Sequence, residues 1–140
     1  MRKILAAAAV AAAALSTMTA GTAHAEYNPA CPSGVTQIGS TAYVKNYDTT
    51  VASVKQFKGC GKNYSYIYVW DSWISSHGRD FTLRTYVKTR PNLTHGFKTG
   101  ARGQRELWSG GANTLDVCTL AHGEVDGSSY SLFAETGWRC

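Results

Sequence analysis

Beyond residue 25 the chain alternates short apolar runs with polar turn residues, and it lacks long helical periodicity. β-Branched and aromatic residues are dense in these runs, and Gly, Asn, Asp and Ser separate them, as is typical of β-rich proteins. The pattern predicts eight strands, at 35–38, 41–47, 51–57, 64–74, 81–88, 105–108, 114–122 and 130–134. We therefore expect a mostly β fold, built as a small antiparallel sandwich or barrel.

The predicted strand at 64–74 carries the densest aromatic pattern. Four rings recur at every second position and share one face: Tyr64, Tyr66, Tyr68 and Trp70. Ile67 and Val69 lie on the other face, and a strand that is apolar on both faces is typical of a sheet covered on both sides. We interpret the rings as packing residues. The alternative is an exposed platform on which sugars or unstacked bases stack.

Residues 1–25 have the pattern of a secretory signal. Arg2 and Lys3 precede an apolar run, and small residues end the segment at Ala23-His24-Ala25. The apolar run of about twelve residues is too short to cross a bilayer of about 30 Å, and no later stretch approaches the roughly 20 apolar residues required. We expect export to the extracellular space, with 26–140 as a single β-rich domain and no membrane partner.

Four cysteines lie in the expected mature chain: Cys31, Cys60, Cys118 and Cys140. An even number of cysteines in an exported protein indicates disulfides, and neither a C-x-x-C pair nor a histidine at ligand spacing points to zinc. Three pairings are possible. Cys31 with Cys60 and Cys118 with Cys140 are favoured, because each closes a segment of adjacent predicted strands. No metal and no cofactor are expected.

The stretch VKQFKGCGKNYSYIYVW, residues 54–70, resembles a pattern in small secreted actinobacterial proteins of unknown function, as do the signal sequence and the late cysteines. In that pattern a strand, a cysteine turn and an aromatic-bearing strand follow one another. This chain departs from it at Phe57-Lys58-Gly59, where a Tyr-Ser pair is expected before the cysteine. The resemblance implies export and a cysteine-closed β unit, and it implies no activity.

Charge is unevenly distributed along the chain. Without Arg2 and Lys3 the expected mature chain has 12 basic and 9 acidic side chains, so its net charge is +3. Residues 79–105 carry a net charge of +6, and the residues from 106 onward carry −4. Either the two halves complement each other within the fold, or the basic segment faces an acidic partner.

The basic segment contains the longest stretch without a predicted strand, at 89–103, with three glycines and one proline. Loops of this length are usually functional or mobile, and a rigid β frame can present one to a partner. We therefore predict a secreted non-catalytic interaction module, such as an inhibitor of an extracellular hydrolase or an adaptor in a secreted assembly. Its candidate contacts with another secreted protein are Arg90, Phe97, Lys98 and Arg102.

Two other functions are compatible with the sequence. A small secreted basic nuclease or toxin would cleave phosphodiesters by histidine acid/base chemistry, with cations holding the phosphate. The candidate residues for that chemistry are His95, His122, Glu124 and Arg84. Nothing in their spacing brings them together, so an enzyme is the less favoured hypothesis. A carbohydrate-binding module would use the Tyr/Trp ladder, so that nucleic acid and carbohydrate are the alternative partners.

Overall fold

A computed structural model describes residues 26–140, and the predicted signal sequence at 1–25 lies outside the described residues. The elements are, in chain order, β1 (Thr36–Asn46), β2 (Thr49–Gly59), β3 (Lys62–Val69), α1 (Asp71–His77), β4 (Phe81–Thr89), β5 (Leu93–Thr99), β6 (Glu106–Trp108), β7 (Thr119–Gly127) and β8 (Ser131–Glu135). Sheet A has the order β1-β2-β3-β6, and sheet B has the order β5-β4-β7-β8. The two antiparallel sheets confirm the predicted mostly β fold, as a sandwich.

The main core lies between the two sheets. β4 alternates strictly, so that its odd-numbered residues are buried against sheet A and its even-numbered residues face outward. β3 sends Ile67 and Val69 into the same core. Buried hydroxyls also join the sheets: that of Ser65 lies 2.6 Å from that of Thr85, which donates to the backbone carbonyl of His122 at 2.7 Å. These hydrogen bonds link β4 and β7 of sheet B to β3 of sheet A.

The outer face of sheet A is covered as well. Tyr64 and Tyr66 are 2% and 3% exposed, and they pack with Phe57 and Cys31. Cys31 belongs to the segment before β1, which crosses this face and is tied to it by the disulfide to Cys60. The packing interpretation of the ladder is therefore confirmed for Tyr64 and Tyr66, and neither ring is open to a sugar.

Both predicted disulfides are present, Cys31–Cys60 and Cys118–Cys140. The first joins the N-terminal segment to the turn between β2 and β3, and the second joins Cys118, just before β7, to Cys140. Disulfides indicate that the protein folds in an oxidising compartment. Within residues 26–140, no helix is long enough and apolar enough to cross a membrane.

The turn between β2 and β3 gives a physical reason for the sequence Gly59-Cys60-Gly61. Cys60 and Gly61 have φ values of 51° and 70°, the signs that a two-residue type I′ hairpin turn requires. A Cβ on Gly59 would lie 2.7 Å from the carbonyl oxygen of Gly34 in the N-terminal segment. A side chain at position 59 would therefore push that segment off the sheet.

Several predicted strand boundaries are wrong. The strand predicted at 64–74 ends at Val69, and α1 follows it. The helix places Trp73 in the main core, and the ring of Trp73 stacks on that of His77 with 3.6 Å between their centroids. The strand predicted at 114–122 instead begins at Thr119 and continues to Gly127, which matches the full length of β4. The strands predicted at 35–38 and 41–47 are one strand with an irregular register.

The segment 89–103, predicted to be a long loop, contains β5. This strand pairs with β4 from Leu93 opposite Thr89 to Thr99 opposite Arg84, with one register shift. Its apolar alternation is diluted by histidine, lysine and glycine, so the pattern that normally indicates a strand is weak. The long-loop prediction is therefore wrong, and any binding by this segment must be by a hairpin at the edge of sheet B.

Candidate interaction surface

Four rings cross the outer face of sheet B, one from each strand, and we call them the ring row. Their order across the sheet is Phe97 on β5, Tyr86 on β4, His122 on β7 and Phe133 on β8. Tyr86 and His122 are directly paired in the register of β4 and β7, and alternation directs both outward. The row therefore spans the whole width of the sheet.

The rings of the row stack face to face. The centroids of Tyr86 and His122 are 4.4 Å apart with an interplanar angle of 11°, and those of His122 and Phe133 are 5.3 Å apart at 18°. Rings that lay flat on the sheet, side by side in one plane, could not have centroids so close together. These rings therefore stand upright on the sheet with their faces toward one another. Phe97 continues the row at 6.0 Å from Tyr86 with a tilt of 30°. The row presents ring edges to solvent, while its inner ring faces are covered.

Exposure is concentrated at the two ends of the row. Phe97 and Phe133 are 54% and 62% exposed, whereas His122 between its neighbours is 7% exposed. Burial raises the pKa of Tyr86 above its ordinary value of 10.0. The surface thus consists of a fixed centre with a large apolar side chain at either end.

On one side of the row a basic and two acidic residues form a closed network. Arg84 Nη1 lies 2.7 Å from Asp126 Oδ2 and 3.5 Å from Glu124 Oε1. The hydroxyl of Ser131 is within hydrogen-bond distance of both carboxylates, at 2.9 Å from Glu124 and 2.7 Å from Asp126. These contacts join β4, β7 and β8, and they leave Arg84 directed along the sheet.

On the other side of the row Glu135 is the centre of a second network. Its Oε1 lies 3.0 Å from His122 Nδ1 and 3.2 Å from Lys88 Nζ. Burial raises the pKa of Glu135, but the hydrogen bonds from His122 and Lys88 and their charges outweigh burial and hold it below its ordinary value of 4.5. His122 is therefore fixed both by the rings on its faces and by a carboxylate at its edge.

Comparison with family models, curated proteins and solved structures finds no match. The function of the chain has to be argued from the geometry of its surfaces. The resemblance to small secreted actinobacterial proteins stays a prediction.

Of the four contacts predicted in the segment 89–103, Phe97 belongs to the ring row and the other three lie elsewhere. The guanidinium of Arg90 lies over the ring of Trp138 at 4.8 Å. Arg102 pairs with Asp80 at 2.6 Å. Lys98 is opposite Thr85 in the register, on the side of β5 that Phe97 does not share. The structure therefore does not gather these cations into one basic site.

Three of the four candidate nuclease residues do lie together on sheet B: Arg84, His122 and Glu124. The second histidine does not join them, because His95 pairs with the inward-facing Val87 and its Nε2 lies 2.8 Å from the hydroxyl of Thr89. The imidazole of His122 is covered on both faces, and its Nε2 is 3.8 Å from Glu124 Oε2. A pair of histidines on either side of a phosphate is therefore not assembled.

Within residues 26–140, His, Cys, Asp and Glu side chains do not converge in any group of three or more that could hold a metal ion.

The sequence did indicate part of the ring row, since the alternation of 81–88 directs Tyr86 outward beside Arg84. It did not indicate the partners of Tyr86, because the order and register of strands in a sheet cannot be read from local alternation. Phe133 was consequently missed as a surface residue.

Proposed function

We propose that this protein is a secreted non-catalytic module that binds another secreted protein through the ring row on sheet B. An inhibitor of an extracellular hydrolase and an adaptor in a secreted assembly are the two roles that fit such a module. The observation that supports the proposal is the pair of exposed phenylalanines, Phe97 and Phe133, on one rigid four-stranded face. Phenylalanine and the other aromatic residues are enriched at protein interfaces relative to the rest of the surface.

The charges beside the row support a protein partner. Arg84 and Lys88 are each paired with carboxylates, so the ring row is flanked on both sides by polar networks whose charges are largely neutralised. Aromatic rings bordered by polar groups are also typical of protein interfaces, in which aromatic residues are enriched and the rim is polar. It is a poor match for nucleic acid, whose phosphates need unpaired cations.

A sugar or base platform is less well supported by the same face. Stacking needs an open ring face, and in the row the faces of Tyr86 and His122 are turned toward neighbouring rings. Phe97 and Phe133 would offer single outer faces at opposite ends of the sheet. Export, which the proposal requires, is supported by the signal pattern of residues 1–25 and by the two disulfides.

The proposal is tested by crosslinking at defined positions. A photoreactive phenylalanine analogue is placed at position 133 or at position 93, and the protein is irradiated in culture supernatant of the secreting organism. Leu93 is a matched control, because it is 56% exposed but pairs with the buried Thr89 and thus lies off the ring row. We expect one protein to be crosslinked from position 133 and not from position 93.

The identified partner is then titrated with purified variants. Phe97→Ser with Phe133→Ser is expected to weaken binding at least about 30-fold, as for loss of a dominant interface residue, and Leu93→Ser should leave it unchanged. If Arg90→Ala, Lys98→Ala and Arg102→Ala together abolish binding while the phenylalanine variants retain it, the basic hairpin is the binding site instead. RNA degradation that is lost in His122→Ala would contradict the non-catalytic assignment.

A further inference from the structure

A separate cavity of about 340 Å³ lies on the other sheet, between the N-terminal segment and β6. Its walls include three aromatic rings and two carboxylates: Tyr27, Tyr66, Trp108, Glu26 and Glu106. Tyr27 is 67% exposed at the rim, and the half-buried Trp108 packs on Tyr66 at 4.5 Å between ring centroids. This cavity shares no residue with the ring row and does not depend on the function proposed for it.

One carboxylate of the cavity is fixed in place by a buried donor. The hydroxyl of Tyr66, which is 3% exposed, donates to Glu106 Oε2 at 2.6 Å. Burial, followed by this hydrogen bond to Glu106, raises the pKa of Tyr66 far above its ordinary value of 10.0, so the phenol keeps its proton. Glu106 Oε1 makes no hydrogen bond to any other side chain or backbone group in 26–140 and is available to a ligand.

The carboxylate of Glu106 is exposed and has no side-chain counter-ion in the described chain. Glu26 pairs with Lys55, whereas Glu106 has no ion-pair partner among residues 26–140. Arg105, the next residue in sequence, is directed away to Asp71, and its guanidinium lies 4.5 Å from the centroid of the Tyr68 ring. Glu106 is therefore a carboxylate without a side-chain counter-ion among residues 26–140, and it lies beside aromatic rings in a protein whose net charge is positive.

We propose that this cavity binds an organic cation, with Glu106 as its counter-ion and the rings of Tyr27 and Trp108 as its cation–π partners. A guanidinium or an alkylated ammonium group is attracted by aromatic ring faces and by a carboxylate. Gln104 lines the same cavity, but its amide is already bonded to Ala101 and to the backbone of Glu106, so it holds the wall in place. The cavity thus recognises the positive charge of its ligand, and a neutral sugar is not expected to bind there.

The test is a titration of the disulfide-bonded protein followed by NMR of the tryptophan indole signals and by calorimetry. N-acetyl-arginine amide is compared with N-acetyl-citrulline amide, its neutral near-isostere, and tetramethylammonium chloride serves as the alkylated cation. We expect the two cations to bind with a Kd of about 1 mM or tighter and citrulline at least about tenfold more weakly. Added salt should weaken the binding of the two cations but not the binding of the citrulline compound.

Two variants locate the site. Glu106→Gln keeps an oxygen that can accept the hydrogen bond from the hydroxyl of Tyr66, but it removes the negative charge. The variant should bind the cations at least about tenfold more weakly. Asp48→Asn, in the turn between β1 and β2, is the control. Tyr27→Ala should weaken binding, while Tyr47→Ala, which removes another exposed ring, should not. Equal binding of arginine and citrulline, unchanged affinity in Glu106→Gln, absence of any binding, or tighter binding of methyl glucoside than of the cations would each overturn the proposal.

Discussion

Gly96 of β5 and Gly110, just beyond β6, bring the backbones of the two sheets into direct contact. The N–H of Gly110 donates to the carbonyl oxygen of Gly96 at 2.8 Å. Gly96 has a φ of 64°, and a Cβ added to it would lie 2.2 Å from the carbonyl oxygen of Gly110. This contact fastens the edge strand that carries Phe97 to the opposite sheet, so that the end of the ring row is held in position.

Gly96→Ala should consequently destabilise the fold more than an alanine placed at a glycine with open surroundings. Gly61 is the matched control, because its φ of 70° carries the same backbone strain while nothing lies within 4 Å of its added Cβ. Since overpacking typically costs 1–3 kcal/mol, we expect Gly96→Ala to lose about that much more free energy of unfolding than Gly61→Ala. Urea denaturation measures both, and equal losses would contradict the close contact.

The two disulfides should differ in their contribution to stability. In the chain-entropy model each disulfide closes a loop and thereby raises the free energy of unfolding by about 3.5 kcal/mol. Cys31 is also fully buried among the rings of sheet A, whereas Cys140 is exposed. Cys31→Ala with Cys60→Ala should therefore lower the free energy of unfolding more than Cys118→Ala with Cys140→Ala.

The comparison is made by urea denaturation of the two double variants and the parent protein. Fluorescence of the tryptophans should also change more in the first variant, because Trp108 packs in the same cluster as Cys31. A larger loss on removing Cys118–Cys140 would mean that closing the segment from Cys118 to Cys140 stabilises the fold more than packing of the N-terminal segment does.

The sequence predicts the fold class and most strands because these depend on local alternation, and it predicts both disulfides because each closes a segment of adjacent strands. The alternation at 81–88 is strict, and β4 occupies almost that range. α1 was missed because it has seven residues, too few to display a helical period, and it follows directly on an aromatic strand. β5 was missed because Gly96, required by the contact with Gly110, interrupts its pattern.

The ring row could not be predicted from local alternation. Phe97, Tyr86, His122 and Phe133 are neighbours because sheet B has the order β5-β4-β7-β8, in which β4 pairs with β7 across a long separation in sequence. The nuclease candidates illustrate the same limit. Arg84 and Glu124 are register partners, while His95 is one strand and one face away, and the sequence distinguishes neither relationship.

Tyr47 offers a stabilising substitution. It lies in the turn between β1 and β2 with a φ of 53°, and it is 95% exposed. A tyrosine in the left-handed region is strained, whereas asparagine tolerates that conformation. Tyr47→Asn should therefore raise the free energy of unfolding by about 0.5–1 kcal/mol. Tyr47→Ala keeps the strained φ and should give no such gain, so a gain in both variants would point to the ring and not the backbone.

Acid stability should depend on Glu135 because its pKa in the folded protein is below the ordinary value of 4.5. A group with a lowered folded pKa contributes stability that is complete above its unfolded pKa and is lost as the pH falls through the folded value. Glu135→Gln keeps an oxygen to accept a hydrogen bond from His122 but cannot titrate. At pH 7 we expect the variant to be less stable by about 1 kcal/mol, and we expect this difference to shrink as the pH falls below about 4.5.

Urea denaturation at several pH values between 7 and 3 measures that difference directly. Asp80→Asn is the control, because Asp80 is 57% exposed in its surface pair with Arg102 and should change the pH profile little. A difference between parent and Glu135→Gln that stays constant down to pH 3 would mean that the carboxylate is not stabilised by His122 and Lys88. It would also weaken the argument that His122 is fixed in the ring row by Glu135.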